Sequence, residues 1–407
     1  MLPAKADWGT LVDVDFWRLP AGVDEVLPPE ARRLEMLRRG VLDLFNSWGY
    51  DYVEPPMIEY LDALLVGNDL NLQTLKVADQ KSGRTLGVRA DITSQVARID
   101  ANSLGGESTR RLCYAGATVR ANPRGVFESR VPVKAGAEIY GCADVEADLE
   151  IMSMAIDAFS LAGISQPVIE LGHVDLVRQL VLGLDLTAGL HERLMQAIRI
   201  KSEADIMHLL AAHPETAKLA CRLVRLIGGV EVLDQAKELF AQEGAEFRLP
   251  IDLLTHCAAQ LTQRRPEAQL RFDLSEPVGF GYHQALVFAL YERQHGRALA
   301  RGGRYDGIGA QFGNARPATG FDMSLKSLIA VTAGAAPDTN RSIWAPWPAD
   351  ESQRLKLRIA VRALRQQGER VVEALCEADL VDRSCDRAIS TNVDAATDAD
   401  WCLVEIA

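Results

Sequence analysis

Residues Arg301 to Gly307 read RGGRYDG, and they constrain the structure of this 407-residue chain more than any other segment. A second segment, Thr319 to Met323 (TGFDM), follows closely. Because glycine permits the close approach of a ligand or a neighbouring strand, we interpret Gly302 and Gly303 as backbone positions without side-chain chemistry. Tyr305 is either a core residue or a group that contacts a ligand.

Three earlier segments carry polar residues beside predicted strands. Pro56 to Glu59 (PMIE) follows the predicted strand Tyr50 to Val53, and Val88 to Thr93 (VRADIT) and Gly136 to Gly141 (GAEIYG) lie further along the chain. Glu138 alternates with apolar neighbours, which is typical of a strand, so its side chain is either solvated or directed at a ligand.

The segments around these motifs predict an α+β domain built on an antiparallel sheet. Apolar residues at helical spacing predict an amphipathic helix over residues 30 to 47, which Gly49 ends. Further predicted elements are strands at 86–89, 112–119 and 135–141 and a helix at 146–161.

The remaining chain predicts an insertion and a second domain. Residues 175 to 265 show repeated helical spacing, punctuated by glycines and Pro250, and almost no strand signal. We therefore expect a first domain over residues 1 to 330 with a helical insertion, a linker over 331 to 348, and a small C-terminal α/β domain over 349 to 407.

Composition narrows the class of protein. The chain is 48% hydrophobic and 25% charged, with a net charge of −12. Nucleic-acid binding requires clustered basic residues, so we expect that this acidic chain does not bind nucleic acid. The absence of any long apolar run predicts that no segment spans a membrane. The first eight residues lack the pattern of a signal peptide, which predicts a cytoplasmic protein. The seven cysteines and seven histidines show no metal-ligand spacing, so we expect no metal.

Taken in order along the chain, these segments resemble histidyl-tRNA synthetase and its relatives among the class II synthetases. The resemblance covers roughly residues 15 to 330. It implies a class II synthetase-like antiparallel sheet flanked by helices, and a homodimer, since PMIE resembles the dimer-forming motif 1 of that class. One branch of these relatives is the non-catalytic regulatory subunit of short-form ATP phosphoribosyltransferase.

The resemblance also implies a pocket for free histidine. Asp91, Thr93 and Glu138 would face the amino group or the imidazole, and Arg120 would face the carboxylate. Such a ligand carries both signs of charge, so a site for it needs charged partners of both signs.

Two tyrosines complete the implied pocket. Tyr282 and Tyr305 would hold the edge and the face of the imidazole. Tyr282 lies in the segment Val278 to His283 (VGFGYH), which aligns with an RGLDYY-like segment of active synthetases.

The chain departs from the synthetases where they bind ATP. A catalytic arginine position is Val278 here, the motif 3 arginine position is Ser327, and the motif 2 glutamate is Asn122. A phenylalanine and a glutamine of the family become Pro132 and Lys134. Each lost charge-assisted contact removes on the order of 1.5 to 3 kcal/mol from nucleotide or transition-state binding, so we expect no adenylation.

We therefore expect a non-enzymatic regulatory subunit that binds L-histidine as effector and needs no cofactor. The resemblance implies that it activates a short-form ATP phosphoribosyltransferase catalytic subunit, as a homodimer within a hetero-octamer. One alternative is a divergent histidyl-tRNA synthetase, favoured by the GGRYD match and opposed by the lost arginines and the acidic C-terminal segment. Another is a different binding module, such as a synthetase-like regulator of translation or another amino-acid enzyme.

Overall fold

The computed structural model describes residues 18–64, 73–122, 129–276, 285–332, 342–348, 350–379, 385–390 and 402–405. The chain divides into two compact units, Met1–Ala333 and Gly334–Ala407. The first unit carries all five sequence segments singled out above and is described first.

A nine-stranded mixed sheet forms the centre of the first unit. The second to the seventh strand across the sheet are joined antiparallel, whereas the first and second strands, and the seventh and eighth strands, are paired parallel. The synthetase-like sheet is therefore confirmed, with parallel pairs near its two ends that the sequence did not predict. The order across the sheet is β1 (Asp51–Tyr52), β5 (Arg110–Ala117), β6 (Val133–Tyr140), β12 (Ala318–Ser324), β11 (Ala300–Arg304), β10 (Leu286–Tyr291), β7 (Val168–His173), β9 (Gln269–Asp273) and β8 (Ile227–Gly228).

A small antiparallel sheet lies beside the first motifs. Its strands occur in the order β2 (Ile58–Tyr60), β4 (Thr85–Val88) and β3 (Leu75–Ala78), and helix α2 (Leu61–Leu64) follows β2. Strand β4 leads directly into helix α3 (Thr93–Arg98), so the VRADIT segment spans a strand-to-helix turn.

Three helices of the first unit begin and end as their sequences indicate. Helix α1 (Glu30–Ser47) buries Val41 and Phe45, and Gly49 with φ of 83° follows its end. Helix α4 (Val145–Leu161) is capped by Asp144, whose carboxylate accepts a hydrogen bond from the Glu146 backbone N–H. Helix α11 (Leu325–Val331) follows β12.

The insertion is helical, but it also adds one strand to the sheet. Ile227–Gly228 pairs with β9 inside a stretch for which almost no strand was expected. Pro250, expected to punctuate the helices, lies inside helix α10 (Ala245–Arg264), where it removes one backbone donor. The helices are α5 (Val174–Val181), α6 (Ala188–Arg199), α7 (Glu203–Leu209), α8 (Pro214–Leu223), α9 (Glu231–Leu239) and α10 (Ala245–Arg264).

The second unit is a four-stranded sheet with one helix. Helix α12 (Glu351–Gln366) is capped by Asp350, whose carboxylate accepts from the Gln353 backbone N–H at 3.2 Å. Residues 331–348, predicted as a linker, contain the buried strand β13 (Ile343–Ala345), because this apolar run pairs between two other strands. The strand order is β14 (Val371–Glu373), β13 (Ile343–Ala345), β15 (Arg387–Ser390) and β16 (Cys402–Glu405).

Candidate ligand-binding site

A buried carboxylate lies at the centre of the large sheet. Glu138, only 1% exposed, stands on β6 opposite Leu112 of β5 and Gly320 of β12. A Cβ atom at position 320 would lie 1.6 Å from Oε2 of Glu138. Glycine is therefore required at position 320 for the carboxylate to occupy this place.

Hydroxyl groups surround the Glu138 carboxylate. The hydroxyl of Tyr305, which follows β11, donates to Oε2, and the hydroxyl of Tyr114 on β5 donates to Oε1 at 3.2 Å. Thr93 Oγ1 lies 3.1 Å from the Tyr114 hydroxyl and extends the network to the start of α3. Gly136 leaves room for the Tyr114 hydroxyl, which would lie 2.4 Å from a Cβ there.

Burial makes this carboxylate a weak acid. It raises the pKa of Glu138 well above that of an ordinary glutamate, and although the bond from Tyr305 favours ionisation, the nearby carboxylates of Asp91 and Asp322 oppose it. Burial likewise raises the pKa of Tyr114. The carboxylate therefore lies where a ligand with an N–H donor or a positive charge would relieve the cost of its ionisation.

The VRADIT turn is held rigidly beside this cluster. Asp91 accepts a hydrogen bond from the Thr93 backbone N–H at 2.8 Å. The guanidinium of Arg89, which is 3% exposed, donates to the carbonyls of Ala117 at 2.9 Å and Pro55 at 2.6 Å. Arg89 thus joins the turn to β5, and Thr93 keeps its position next to Tyr114.

The RGGRYDG segment serves both faces of the sheet. Arg304 forms a buried ion pair with Asp148 of α4 at 2.7 Å and donates to the carbonyls of Cys142 and Asp144 at 3.0 and 3.1 Å. The next residue, Tyr305, faces the Glu138 carboxylate. One short motif therefore anchors a helix on one side and completes a polar cluster on the other.

A charged pair lies next to Glu138 on the same face. Lys134 of β6 and Asp322 of β12 form an ion pair, with their side chains 14% and 22% exposed. Asp322 is directly opposite Gly136, two residues from Glu138 along β6. Alternation along both strands places the pair on the face that carries the carboxylate.

The structure brings together most of the residues that the sequence singled out. Thr93, Glu138 and Tyr305 belong to one hydrogen-bonded network, and Asp91 lies beside it. Arg120 is buried after strand β5, and its backbone N–H donates a hydrogen bond to the Arg130 carbonyl at 2.8 Å. Its contact with a ligand carboxylate stays a prediction.

Tyr282 and Val278 lie outside the described residues. Sequence reasoning missed Tyr114 as a site residue, although it stands inside a predicted strand and only the register with β6 reveals its hydroxyl beside Glu138. The pairing of Lys134 with Asp322 was also missed, because it joins residues 188 positions apart.

Together, the sheet order, the RGGRYDG strand and the buried carboxylate define a class II aminoacyl-tRNA synthetase-like protein of the histidyl type. The family model of histidyl-tRNA synthetase matches residues 22–328, and that of the ATP phosphoribosyltransferase subunit HisZ C-terminal domain matches residues 340–401. The chain belongs to the family of ATP phosphoribosyltransferase regulatory subunits. The regulatory subunit of Alkalilimnicola ehrlichii is 45% identical over 92% of this chain and 94% of its own length, and that of Ectopseudomonas mendocina is 43% identical over 98% and 100%.

Solved structures agree with this assignment. An ATP phosphoribosyltransferase regulatory subunit/histidyl-tRNA synthetase from Bacillus halodurans has a TM-score of 0.77 at 25% identity and covers 90% of this chain and 95% of its own. Histidyl-tRNA synthetase from Nostoc shares the fold, with a TM-score of 0.77 at 19% identity over 96% and 97%. Among the described residues, no helix combines the length and apolarity that a membrane crossing requires.

Proposed function

We propose that this chain is the histidine-sensing regulatory subunit of an ATP phosphoribosyltransferase and that Glu138 binds the effector. The observation that carries the proposal is the buried Glu138 carboxylate, bonded to the hydroxyls of Tyr114 and Tyr305. An imidazole offers N–H donors to such a carboxylate and a flat ring to the tyrosines. The predicted contacts of Asp91, Thr93, Arg120 and Tyr282 belong to the same proposal.

Loss of adenylation is the second part of the proposal. Ser327, at the position of the motif 3 arginine, lies in the first turn of α11, where its backbone and hydroxyl both bond to Ser324 Oγ, the latter at 2.9 Å. A hydroxyl engaged in helix capping supplies no positive charge to a triphosphate. Lys134, at the position of a family glutamine, is paired with Asp322. These features favour a binding protein over a divergent histidyl-tRNA synthetase.

The partner in the proposal is the short-form catalytic subunit. The relatives are named regulatory subunits, and a chain of the ATP phosphoribosyl transferase (HisG:HisZ) complex from Thermotoga maritima shares the fold at 17% identity, with a TM-score of 0.56 over 74% of this chain and 98% of its own. We place this chain in the cytoplasm as a homodimer within a hetero-octamer. The reaction itself takes place on the partner.

Regulation follows from linkage between the two subunits. If histidine binds one state of the assembly more tightly, it shifts the population toward that state, and the partner's activity changes with it. A coupling free energy of about 1 to 3 kcal/mol corresponds to roughly a 5- to 150-fold change in affinity, and it acts equally in both directions. Binding of the catalytic subunit should therefore alter histidine affinity by the same factor.

The test is reconstitution with a short-form catalytic subunit. We expect this chain to raise the rate of phosphoribosyl-ATP formation and added L-histidine to suppress the increase, while Glu138→Ala still activates but responds to histidine at least tenfold more weakly. An unchanged rate without co-elution of the two chains would contradict the partner. Robust histidine-dependent ATP–pyrophosphate exchange by this chain alone would instead favour the synthetase.

A further inference from the structure

A cavity of about 320 Å³ lies on the face of the large sheet that points away from Glu138. Ile139 of β6 lines it, and alternation along the strand directs Ile139 to the opposite face from Glu138. The volume lies within the range of sites for small molecules. The cavity is therefore separate from the pocket proposed for histidine, and the proposed function makes no use of it.

Two polar groups in the cavity wall lack a hydrogen-bond partner. Ser153 of α4 is 4% exposed, and neither its Oγ nor Nε of Arg265 has a partner in the part of the chain that the structure describes. Both residues line the cavity. A hydroxyl and a guanidinium N–H can both donate, so the group that is missing between them is an acceptor.

Three arginines line the cavity against two glutamates. Arg111 donates to the carboxylate of Glu150 at 2.7 and 2.8 Å, and Arg264 donates to that of Glu146 at 3.0 and 2.9 Å. Both carboxylates thus already accept hydrogen bonds. A guanidinium has five N–H donors, and each of these ion pairs uses at most two of its nitrogens. The wall therefore offers more donors than acceptors and an excess of positive charge.

The packing holds the unpartnered donors in place. Arg265 donates to Asp157 of α4 at 2.6 and 2.9 Å, and its guanidinium carbon lies 5.7 Å from the centre of the Trp48 ring. Glu146, Glu150 and Ser153 are spaced by four and three residues along α4, which places them on one stripe of the helix. The donors on α4 and after α10 are therefore positioned before any ligand arrives.

We propose that this cavity binds a phosphate group, either as the free ion or as part of a small phosphorylated molecule. Its oxygens would accept from Ser153 Oγ, from Arg265 Nε and from the guanidinium groups of Arg111 and Arg264. A phosphate group has three strong acceptor oxygens, and arginine matches their geometry, whereas a carboxylate has only two oxygens for donors that come from three elements. The remainder of a larger ligand would lie against Trp48. The inference does not depend on histidine binding.

The experiment is calorimetric titration of the full chain with inorganic phosphate, ribose 5-phosphate and ribose at constant ionic strength. We expect ribose 5-phosphate to bind at least about tenfold more tightly than ribose, because only the former carries the acceptor oxygens. Equal affinities for inorganic phosphate and ribose 5-phosphate would assign the site to the free ion. Tighter binding of ribose 5-phosphate would assign it to a phosphorylated molecule.

Two variants test the position of the phosphate. Ser153→Ala and Arg264→Gln should each weaken ribose 5-phosphate about tenfold, because each removes a donor to a charged group. Without ligand, Ser153→Ala should melt at or above the wild-type temperature, since it removes a buried hydroxyl that has no partner among the described residues. Its lost affinity would then not result from unfolding.

Ser160→Ala is the matched control, because Ser160 belongs to the same helix and is exposed outside the cavity. It should leave the affinity for ribose 5-phosphate within about twofold. Three outcomes would overturn the inference: no binding of either phosphate compound, equal binding of ribose and ribose 5-phosphate, or wild-type affinity in both Ser153→Ala and Arg264→Gln. The last outcome would place the phosphate elsewhere on the chain.

Discussion

At the scale of single residues, the chain places a carboxylate where water cannot solvate it. Burial raises the pKa of Glu138, and the hydroxyls of Tyr114 and Tyr305 replace only part of the lost hydration. Glu150 on α4 shows the opposite balance: burial opposes its ionisation, yet bonds from Arg111 and Tyr50 lower its pKa overall. The two glutamates belong to one unit, but the surroundings of Glu138 favour its protonated form and those of Glu150 favour its ionised form.

This contrast gives a pH-dependent prediction. Because the folded pKa of Glu138 lies above its ordinary value of 4.5, wild-type stability falls as pH rises from that value to the raised one. Glutamine has no proton to lose, so Glu138→Gln should gain stability relative to wild type between pH 5 and pH 8, on the order of 1 to 3 kcal/mol. Urea unfolding at both pH values measures this gain.

Glu150→Gln is the control with the opposite sign. The lowered pKa of Glu150 stabilises the fold above its ordinary value, and this contribution is lost as pH falls through the lowered one. The glutamine variant should therefore be less stable than wild type at pH 8. If Glu138→Gln instead lost stability relative to wild type as the pH rises, burial would not oppose ionisation of the Glu138 carboxylate.

At the scale of elements, strand pairing turns separate motifs into one site. Gly320 is the clearest case, because a Cβ there would lie 1.6 Å from Glu138 Oε2 and 2.7 Å from the Ala137 carbonyl. Gly320→Ala should push the carboxylate out of its place, costing about 1 to 3 kcal/mol of stability and at least tenfold in histidine affinity. Urea unfolding and calorimetric titration measure the two effects.

Gly189→Ala is the matched substitution for this prediction. Gly189 lies in α6, and nothing lies within 4 Å of a Cβ added there. It should change stability by less than about 1 kcal/mol and leave histidine binding unchanged. Equal affinities for wild type and Gly320→Ala would argue that the ligand does not contact this part of the sheet.

The sequence predicted local elements better than it predicted their partners. Helix α1 was predicted over 30 to 47 and lies at Glu30–Ser47, because apolar spacing and a terminal glycine are both local signals. Strand β7 was not predicted, and strand β8 is only two residues long, which is too short for a periodic signal. Strand register depends on two segments that are distant in sequence. The contact of Tyr114 with Glu138 and the pairing of Lys134 with Asp322 could therefore not be predicted from either segment alone.

At the scale of the whole molecule, the chain consists of two units with separate cores. The clusters of the first unit draw on residues up to 331, and those of the second begin at Ile343. We predict that residues 1–333 fold without the remainder and bind L-histidine within about twofold of the full chain, because the packing around Glu138 lies in that unit. Circular dichroism melting and calorimetry of the truncated chain measure this.

Two outcomes would contradict independent folding and histidine binding by residues 1–333. A truncated chain that aggregates or melts without cooperativity would mean that the second unit stabilises the first. A truncated chain that folds but no longer binds histidine would mean that residues beyond 333 complete the pocket.

The separate structural and ligand-facing positions within RGGRYDG affect how this motif should be used to identify genes in genome sequences. Arg304 secures α4 through Asp148, a structural contact that requires no catalysis. A survey that counts synthetase genes by this heptapeptide therefore detects the scaffold and overestimates the number of charging enzymes. The distinction between regulatory subunit and enzyme should be sought at positions outside this anchoring pair, such as 134 and 327.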